Sequence, residues 1–460
     1  MLRPFRLAFL PLALLCLAAP AAAQLTSTPR ATGFAGAYLA LARGSEAVDW
    51  NPANLGLPGQ PRWSFALPRL GVAGAVLGPP LGELPTLVRD DLTDADRLAF
   101  LDQVPEAGIS FRAGALVPWA GLSVGRFAVS VSSTALLDAH TGREMVDLYL
   151  ETRQYGGVDP ARLDEYRVGN TGFGTALLTS AAVAYAHPIP LFPFPASVGV
   201  AGRATFVHEA LRARIFDPVP NWEESDIEMT MVSLRASGGR GFGLDVGAAA
   251  QPLPGLTVGL AVENLAQSMS WDGGLEQRGG VFSGRELALM EPPDFVDLFD
   301  PQPYDSAEAS PQVDSIAAAL LSGAAPPRVL RAGAALQAGG TAVSLTWTMT
   351  TGDGRLFAGW PQQLAVGVEQ RLFGFWSLRG GAASSLSGAT ALALGTSFAM
   401  GALQLTLAAT RVSGNDEPRP ESAADFDFPG RLVATSGYGL MLGLDITGAP
   451  PPARRSRRSR

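Results

Sequence analysis

The sequence predicts an all-β protein, a transmembrane antiparallel β-barrel of about 14 strands with short helices in its loops. Three observations carry that prediction. Apolar residues alternate with small or polar ones in segment after segment, several of them about 9–11 residues long, the length that crosses a bilayer at a tilt. The second face of these segments is mostly Gly, Ala, Ser and Thr rather than charge. The composition is also apolar for its size: of 460 residues, 47% are hydrophobic and 17% charged, with 53 Gly and no Lys. Such charged content lies well below that of an ordinary soluble domain. Alternation alone also fits a soluble sandwich or propeller, whose oily face is buried inside. The small second faces, the low charge and the lack of a repeat of roughly 40–50 residues weigh against it.

Taken in order, residues 1–23 read as an export signal. Arg3 and Arg6 form a positive start, Phe9–Ala19 an apolar run, and Ala21-Ala22-Ala23 a cleavage site that leaves Gln24 first. The single Cys16 leaves with that signal, so disulfides and thiolate chemistry are not expected. The expected location is the bacterial outer membrane.

From residue 58 to 447 the pattern is period two, as expected of barrel strands. Leu256, Val258, Leu260 and Val262 oppose Thr257, Gly259, Ala261 and Glu263. Val343, Leu345, Trp347 and Met349 oppose Ser344, Thr346, Thr348 and Thr350. Leu364, Val366 and Val368 oppose Ala365, Gly367, Glu369 and Arg371. The longest run sets Leu432, Ala434, Ser436, Tyr438, Leu440, Leu442, Leu444 and Ile446 against Val433, Thr435, Gly437, Gly439, Met441, Gly443 and Asp445. Strands are expected to begin near Trp63, Ile109, Phe127, Ala176, Ser197, Glu228, Gly241, Leu256, Arg328, Thr341, Leu364, Trp376, Ala391, Leu403 and Gly430. That odd total conflicts with the even strand number of bacterial barrels, which points to about 14.

Turns such as Pro254-Gly255, Gly339-Gly340 and Gly401 are short, whereas the insertions near 136–170 and 267–327 are long. Short turns at one end and long loops at the other suit an outer-membrane barrel. Thr93 opens a capping-box-like start to a helix over 94–103, and Ser310–Leu321 reads as a second short helix. Residues 448–460, Pro-rich and then Arg-rich, read as a disordered tail. Without the signal and tail arginines, 27 Arg face 42 acids, a net −15 for residues 24–453. An acidic body argues against a nucleic-acid partner.

Residues 33–57 read GFAGAYLALARGSEAVDWNPANLGL, a small-residue stretch closed by Asp49-Trp50-Asn51-Pro52-Ala53-Asn54-Leu55. This resembles the N-terminal motif of the FadL-type outer-membrane transporters and the related PorV-type proteins. Here Asn54 stands where that pattern has Gly, and Arg43-Gly44 where an acidic pair is common. The resemblance implies that residues 24–57 fold inside or under the barrel as a plug. Gly36, Tyr38, Trp50, Asn51, Pro52 and Ala53 become the plug or gating candidates. The residues are compatible: small side chains allow close backbone contact, Pro52 fixes a turn, and Trp50 offers an apolar face with one donor.

Two functions follow as expectations of the resemblance. One is passive transport of hydrophobic, fatty-acid-like molecules, with Phe295, Leu298, Phe299 and Tyr304 as loop residues that contact the ligand. The other is a non-conducting PorV-like barrel that serves secretion, protein interaction or envelope structure. Outer-membrane lipid and the barrel assembly machinery are the expected partners. Many such barrels end on an aromatic residue, whereas here the last strand ends at Ile446-Thr447.

Catalytic and metal chemistry find little support, and no enzyme activity, cofactor or metal is expected. Gly121-Leu122-Ser123-Val124-Gly125 matches G-x-S-x-G, but a strand pattern follows where a nucleophile elbow needs a helix. Gly239-Arg240-Gly241-Phe242-Gly243 lacks the third glycine of a dinucleotide loop. His208-Glu209 has Arg212 where a zinc motif needs its second His. His140 and His187 stand apart from it, with His187 near Tyr185. Glu223, Glu224, Asp226 and Glu228 read as a solvated loop edge.

Overall fold

The computed structural model describes residues 26–79, 83, 91–106, 108–159, 162, 166, 171–221, 226–283, 300–323, 325–351, 360, 362–386, 388–414 and 436–448. The export signal, the Glu223–Glu224 pair, Phe295, Leu298, Phe299, the expected strand start at Gly430 with residues 432–435, and the Arg tail lie outside the described residues.

Strands β1 (Trp63–Ala66), β2 (Leu70–Leu77), β3 (Ile109–Val124), β4 (Phe127–Thr141) and β5 (Thr171–Pro188) begin one continuous antiparallel wall. It continues through β6 (Ala196–Asn221), β7 (Asp226–Leu253) and β8 (Leu256–Trp271). The hairpin pieces β9 (Glu276–Ser283) and β10 (Gln302–Pro303) follow in the chain. Then come β11 (Arg328–Ala338), β12 (Thr341–Thr351), β13 (Gln362–Leu372), β14 (Trp376–Ser385), β15 (Thr390–Met400), β16 (Leu403–Ser413) and β17 (Ser436–Thr447). β11 pairs with β8, so β9 and β10 are outside the ring, and β9 lies on the far end of β7. β17 closes onto β1 and β2. β1 and β2 share one place between β17 and β3, so the ring is a closed antiparallel barrel of 14 strands.

Pro68 has no N–H to give a ladder, and the first strand breaks there. The gap is bridged by Leu67 N–H to the Leu444 carbonyl and Arg69 N–H to the Pro118 carbonyl, both 3.0 Å.

The fifteen expected strand starts exceed the ring by one because Glu228 and Gly241 belong to the single strand β7. The Ser237-Gly238-Gly239 stretch mimics a turn, and Gly238 has φ +72°. Pairing with β6 nevertheless continues on both sides of it. β2 was not anticipated, nor was helix α4. Counting helices along the chain, these are α1 (Pro29–Gly33), α2 (Ala47–Trp50), α3 (Asp94–Leu101), α4 (Arg143–Tyr155) and α5 (Pro311–Gly323). α3 carries the full capping box between Thr93 and Asp96 and stops two residues before 103. α4 has an apolar face with Met145, Leu148 and Thr152 buried, and stops at Gly156, left-handed with φ +73°.

The alternation resolves as an inside-out protein. Val343, Leu345, Leu364, Val366, Val368, Leu405, Leu407, Leu440 and Leu442 are exposed on the outer surface. Ser344, Thr346, Ala365, Thr406 and Met441 are buried on the lumen side. The strands β11–β17 hold 10–12 residues each, whereas β6 and β7 hold 26 and 28. One wall of the barrel therefore stands more than twice as tall as the other.

Candidate functional site

Residues 26–57 pack inside the barrel against its wall. Their side chains and backbone meet wall positions right around the ring, from Pro29 on Gly443 and Gly33 on Gly395 to Phe34 on Gly367 and Leu39 on Gly333. Ser45 meets Gly121 and Ala53 meets Gly199. Wall glycines Gly381 and Gly199 permit backbone-to-backbone approach. A Cβ at Gly381 would stand 2.3 Å from the Phe34 carbonyl carbon, and one at Gly199 would stand 2.3 Å from Ala53 N. The high glycine content is thus partly a track for the segment inside the barrel.

Local chemistry shapes this segment. Thr28 caps α1, accepting from Ala31 N–H at 3.1 Å, with Pro29 in the first turn. Asn51 caps the 3₁₀ turn Pro52–Gly56, accepting from Ala53 N–H at 3.0 Å, and donates to the Ala248 carbonyl at 3.1 Å. It fits because Gly247 and Gly259 stand opposite. Ala53 accepts from Ser197 on β6 at 2.5 Å. Gly36 takes φ +88° beside Gln363, whose amide donates to the Ala35 carbonyl at 3.1 Å.

Tyr38 is fully buried and donates to Glu46 at 2.5 Å. Burial holds its phenol well above the ordinary value, so it stays protonated. Its ring lies edge-on to Trp50 at 5.7 Å, with Arg30 over one face at 5.6 Å. Trp50 donates to Ser27 at 3.0 Å and carries the Arg331 guanidinium 5.2 Å from its ring centre. The structure therefore brings all six plug candidates into the lumen.

Ion pairs from the wall surround the segment. Glu369 on β13 binds Arg30 at 3.3 Å and Arg379 on β14 at 2.5 Å. Arg69 joins Glu46 and Asp445. Arg203 on β6 reaches Asp49 at 3.5 Å and Asp245 at 3.1 Å, and Glu263 holds Arg331 at 2.8 Å. None of these was singled out from the sequence. The signal was present: Glu263, Glu369 and Asp445 each put a charge on an otherwise small face. Asn54, which departs from the glycine of the resembled motif, has a structural role here. It is buried and donates to the carbonyls of Leu39 at 2.8 Å and Ala42 at 3.1 Å, which ties the two halves of the segment together.

Toward the long-loop end the lumen changes character. Above the ion pairs, the inward faces of β5, β6 and β7 are Ala176, Leu178, Val207, Ala210, Val232, Leu234 and Ala236. Val313, Ile316, Ala317 and Leu320 of α5 cover them. Tyr304 packs at the edge of this cluster and donates to Asp314 at 2.5 Å, a bond that pushes its phenol up to about 12. It is the one expected ligand-contacting residue among those described.

The remaining sequence candidates disperse. Ser123 ends β3, shares a 2.7 Å hydrogen bond with Ser64, and leads into a hairpin rather than a helix. His140 meets Ser110 at 2.6 Å, His187 meets Tyr185 at 3.2 Å, and His208 meets Thr179 at 2.9 Å, all in separate places.

Fold and site together define a plugged antiparallel barrel. No protein-family model matches the chain, and no curated protein matches it. Among the solved structures similar to it are the following three. A FadL homologue from Pseudomonas aeruginosa is 12% identical with a TM-score of 0.48, over 94% of this chain and 100% of that one. The Ralstonia pickettii toluene transporter TbuX is 15% identical with a TM-score of 0.47, over 93% and 99%. The P. putida toluene transporter TodX is 10% identical with a TM-score of 0.49, over 92% and 98%.

Proposed function

We propose that this chain resides in a bacterial outer membrane and passes hydrophobic, fatty-acid-like small molecules without an energy source, with residues 26–57 as its gate. The observation that carries the reading is the change of lining along the lumen. A water-filled porin lines its interior with polar groups. Here the half nearest the long loops presents Leu178, Val207, Val232 and Leu234 inward, under the apolar face of α5. A hydrophobic solute gains by leaving water for such a surface, at about 25 cal/mol per Å² buried. The outward belt of Val, Leu and Phe supports the membrane placement, with lipid as its solvent. Insertion by the barrel assembly machinery belongs to the same proposal.

The test is uptake of a radiolabelled long-chain fatty acid and of radiolabelled toluene into vesicles that contain the full chain. Faster uptake than into empty vesicles is the expected result. Rates equal to empty vesicles for both compounds would sink the transport reading and leave a non-conducting barrel.

A further inference from the structure

A ladder of polar side chains crosses the outer face of four strands. Trp119 Nε1 on β3 donates to Ser133 Oγ on β4 at 2.8 Å. Ser133 Oγ lies 2.8 Å from Thr179 Oγ1 on β5, which lies 2.9 Å from His208 Nε2 on β6. Both ends are β-bulges. Trp119 is the extra residue where β3 slips between Pro118 and Ala120, and His208 is the extra residue where β6 slips against Leu177 and Leu178. Bulges re-aim side chains, so each end residue is turned to the surface by a local break in pairing.

One end of the ladder has a fixed donor. An indole N–H can only donate, so Ser133 accepts from it. Ser133 Oγ and Thr179 Oγ1 share one proton between them in either sense, and Thr179 Oγ1 occupies the Nε2 side of the His208 ring. The other ring nitrogen, His208 Nδ1, has no hydrogen-bond partner among the described residues and donates whenever it carries the ring proton.

The ladder also marks a boundary. On the short-turn side of it, the outer face presents exposed Leu122, Val129, Val131 and Val183. Exposed Trp119, Phe206 and Phe242 stand at or beside it. On the other side come charges: Arg235 pairs with Glu209 at 2.7 Å. Arg240 is paired opposite Phe206, so it stands at the aromatic level on the short-turn side of the ladder, a diagonal neighbour of His208 about 7–8 Å away. Its side chain is 68% exposed and, among the described residues, pairs with Asp272, itself 51% exposed, at 2.9 Å. Aromatic side chains collect at the level of lipid head groups.

We propose that His208 and Arg240 form a site on the outer wall for the phosphate of a lipid head group. The inference rests on the membrane placement proposed above. A phosphate oxygen can take the His208 Nδ1 proton while another takes the Arg240 guanidinium, whose planar fork suits phosphate. The acyl chains of the same lipid then lie along Val183, Phe206 and Phe242, contacts that a free anion lacks.

The experiment uses the full chain in non-ionic detergent micelles and native mass spectrometry of retained lipid. The probes are dioleoyl phosphatidic acid, dioleoylglycerol and inorganic phosphate. Wild type should retain phosphatidic acid about tenfold better than dioleoylglycerol, and His208→Ala and Arg240→Gln should each cut that retention about tenfold, as for charge-assisted hydrogen bonds. Heat-modifiable migration on gels confirms that each variant is folded. Equal retention of the two lipids, or retention unchanged in both variants, overturns the proposal. Competition by inorganic phosphate at matched concentration makes this an anion site and overturns the lipid assignment. Uptake in vesicles is read separately: loss of lipid selectivity with uptake intact sinks this site alone, and a chain that fails to insert sinks both readings.

Discussion

The Tyr38 hydroxyl donates to Glu46 at 2.5 Å in the middle of the lumen, and Arg69 supplies the counter-charge to the same carboxylate. Tyr38 precedes the left-handed Gly44, and Glu46 closes the 3₁₀ segment Gly44–Glu46, so the bond spans that turn and holds the folded-back shape of the plug. Burial of a carboxylate is tolerated only when its lone pairs are met.

Tyr38→Phe removes that donor and leaves a buried carboxylate oxygen unmatched. Hydrogen bonds to charged groups are worth about 2 kcal/mol, so the plug should loosen by about that amount. The measurement is hydrogen exchange across residues 34–50, which should speed up while the strands stay protected. Unchanged exchange there would show that the bond is not holding the turn.

Gly381→Ala sets a Cβ against the Phe34 backbone at 2.3 Å, where nothing flexible can give way. Displacement of the plug with the barrel intact is the expected outcome. Planar-bilayer recordings should show larger and more frequent conductance steps than wild type. Gly380→Ala is the control, because its Cβ would meet only Leu394 at 3.9 Å.

Leu234→Asn puts a polar group in the apolar half of the lumen, on a side chain buried against the α5 cluster. It lies far from the plug contacts. Uptake of both hydrophobic probes should fall several-fold, while the conductance of the closed barrel should not change. Equal uptake would remove the inward apolar wall from the pathway.

Glu151 on α4 fastens the long-loop end. Burial alone would raise its pKa, but the Tyr166 hydroxyl, the Asp159 N–H, Arg97 and Arg162 hold it below the usual carboxylate range. A depressed folded value means the stabilisation is complete above the unfolded pKa of about 4.3 and is lost as pH falls through the folded value. Protease nicking of residues 143–155 should therefore rise on acidification below about pH 4. Glu151→Gln should be nicked readily at neutral pH, because two arginines lose their buried partner.

The sequence by itself determined the barrel and the faces of its strands. Period two with one oily and one small face admits few folds, and Val366 and Gly367 point as their alternation requires. Capping chemistry is local, so the Thr93–Asp96 box marked α3 before any contact was known. The motif around Trp50 and Asn51 was legible as a resemblance. What it could not specify was which wall residue meets each plug residue. Arg30 and Glu369 are 339 positions apart, and no spacing rule links them. The same holds for Asn51 with Ala248 and for Asn54, whose value appears only when the segment folds back on itself. Tertiary structure settled that β7 is one strand, since a glycine-rich stretch within a strand and a turn look alike until the partner strand is seen to continue. It likewise decided that the tall wall of β5–β7 turns apolar side chains inward, because which face is inside depends on how the ring closes.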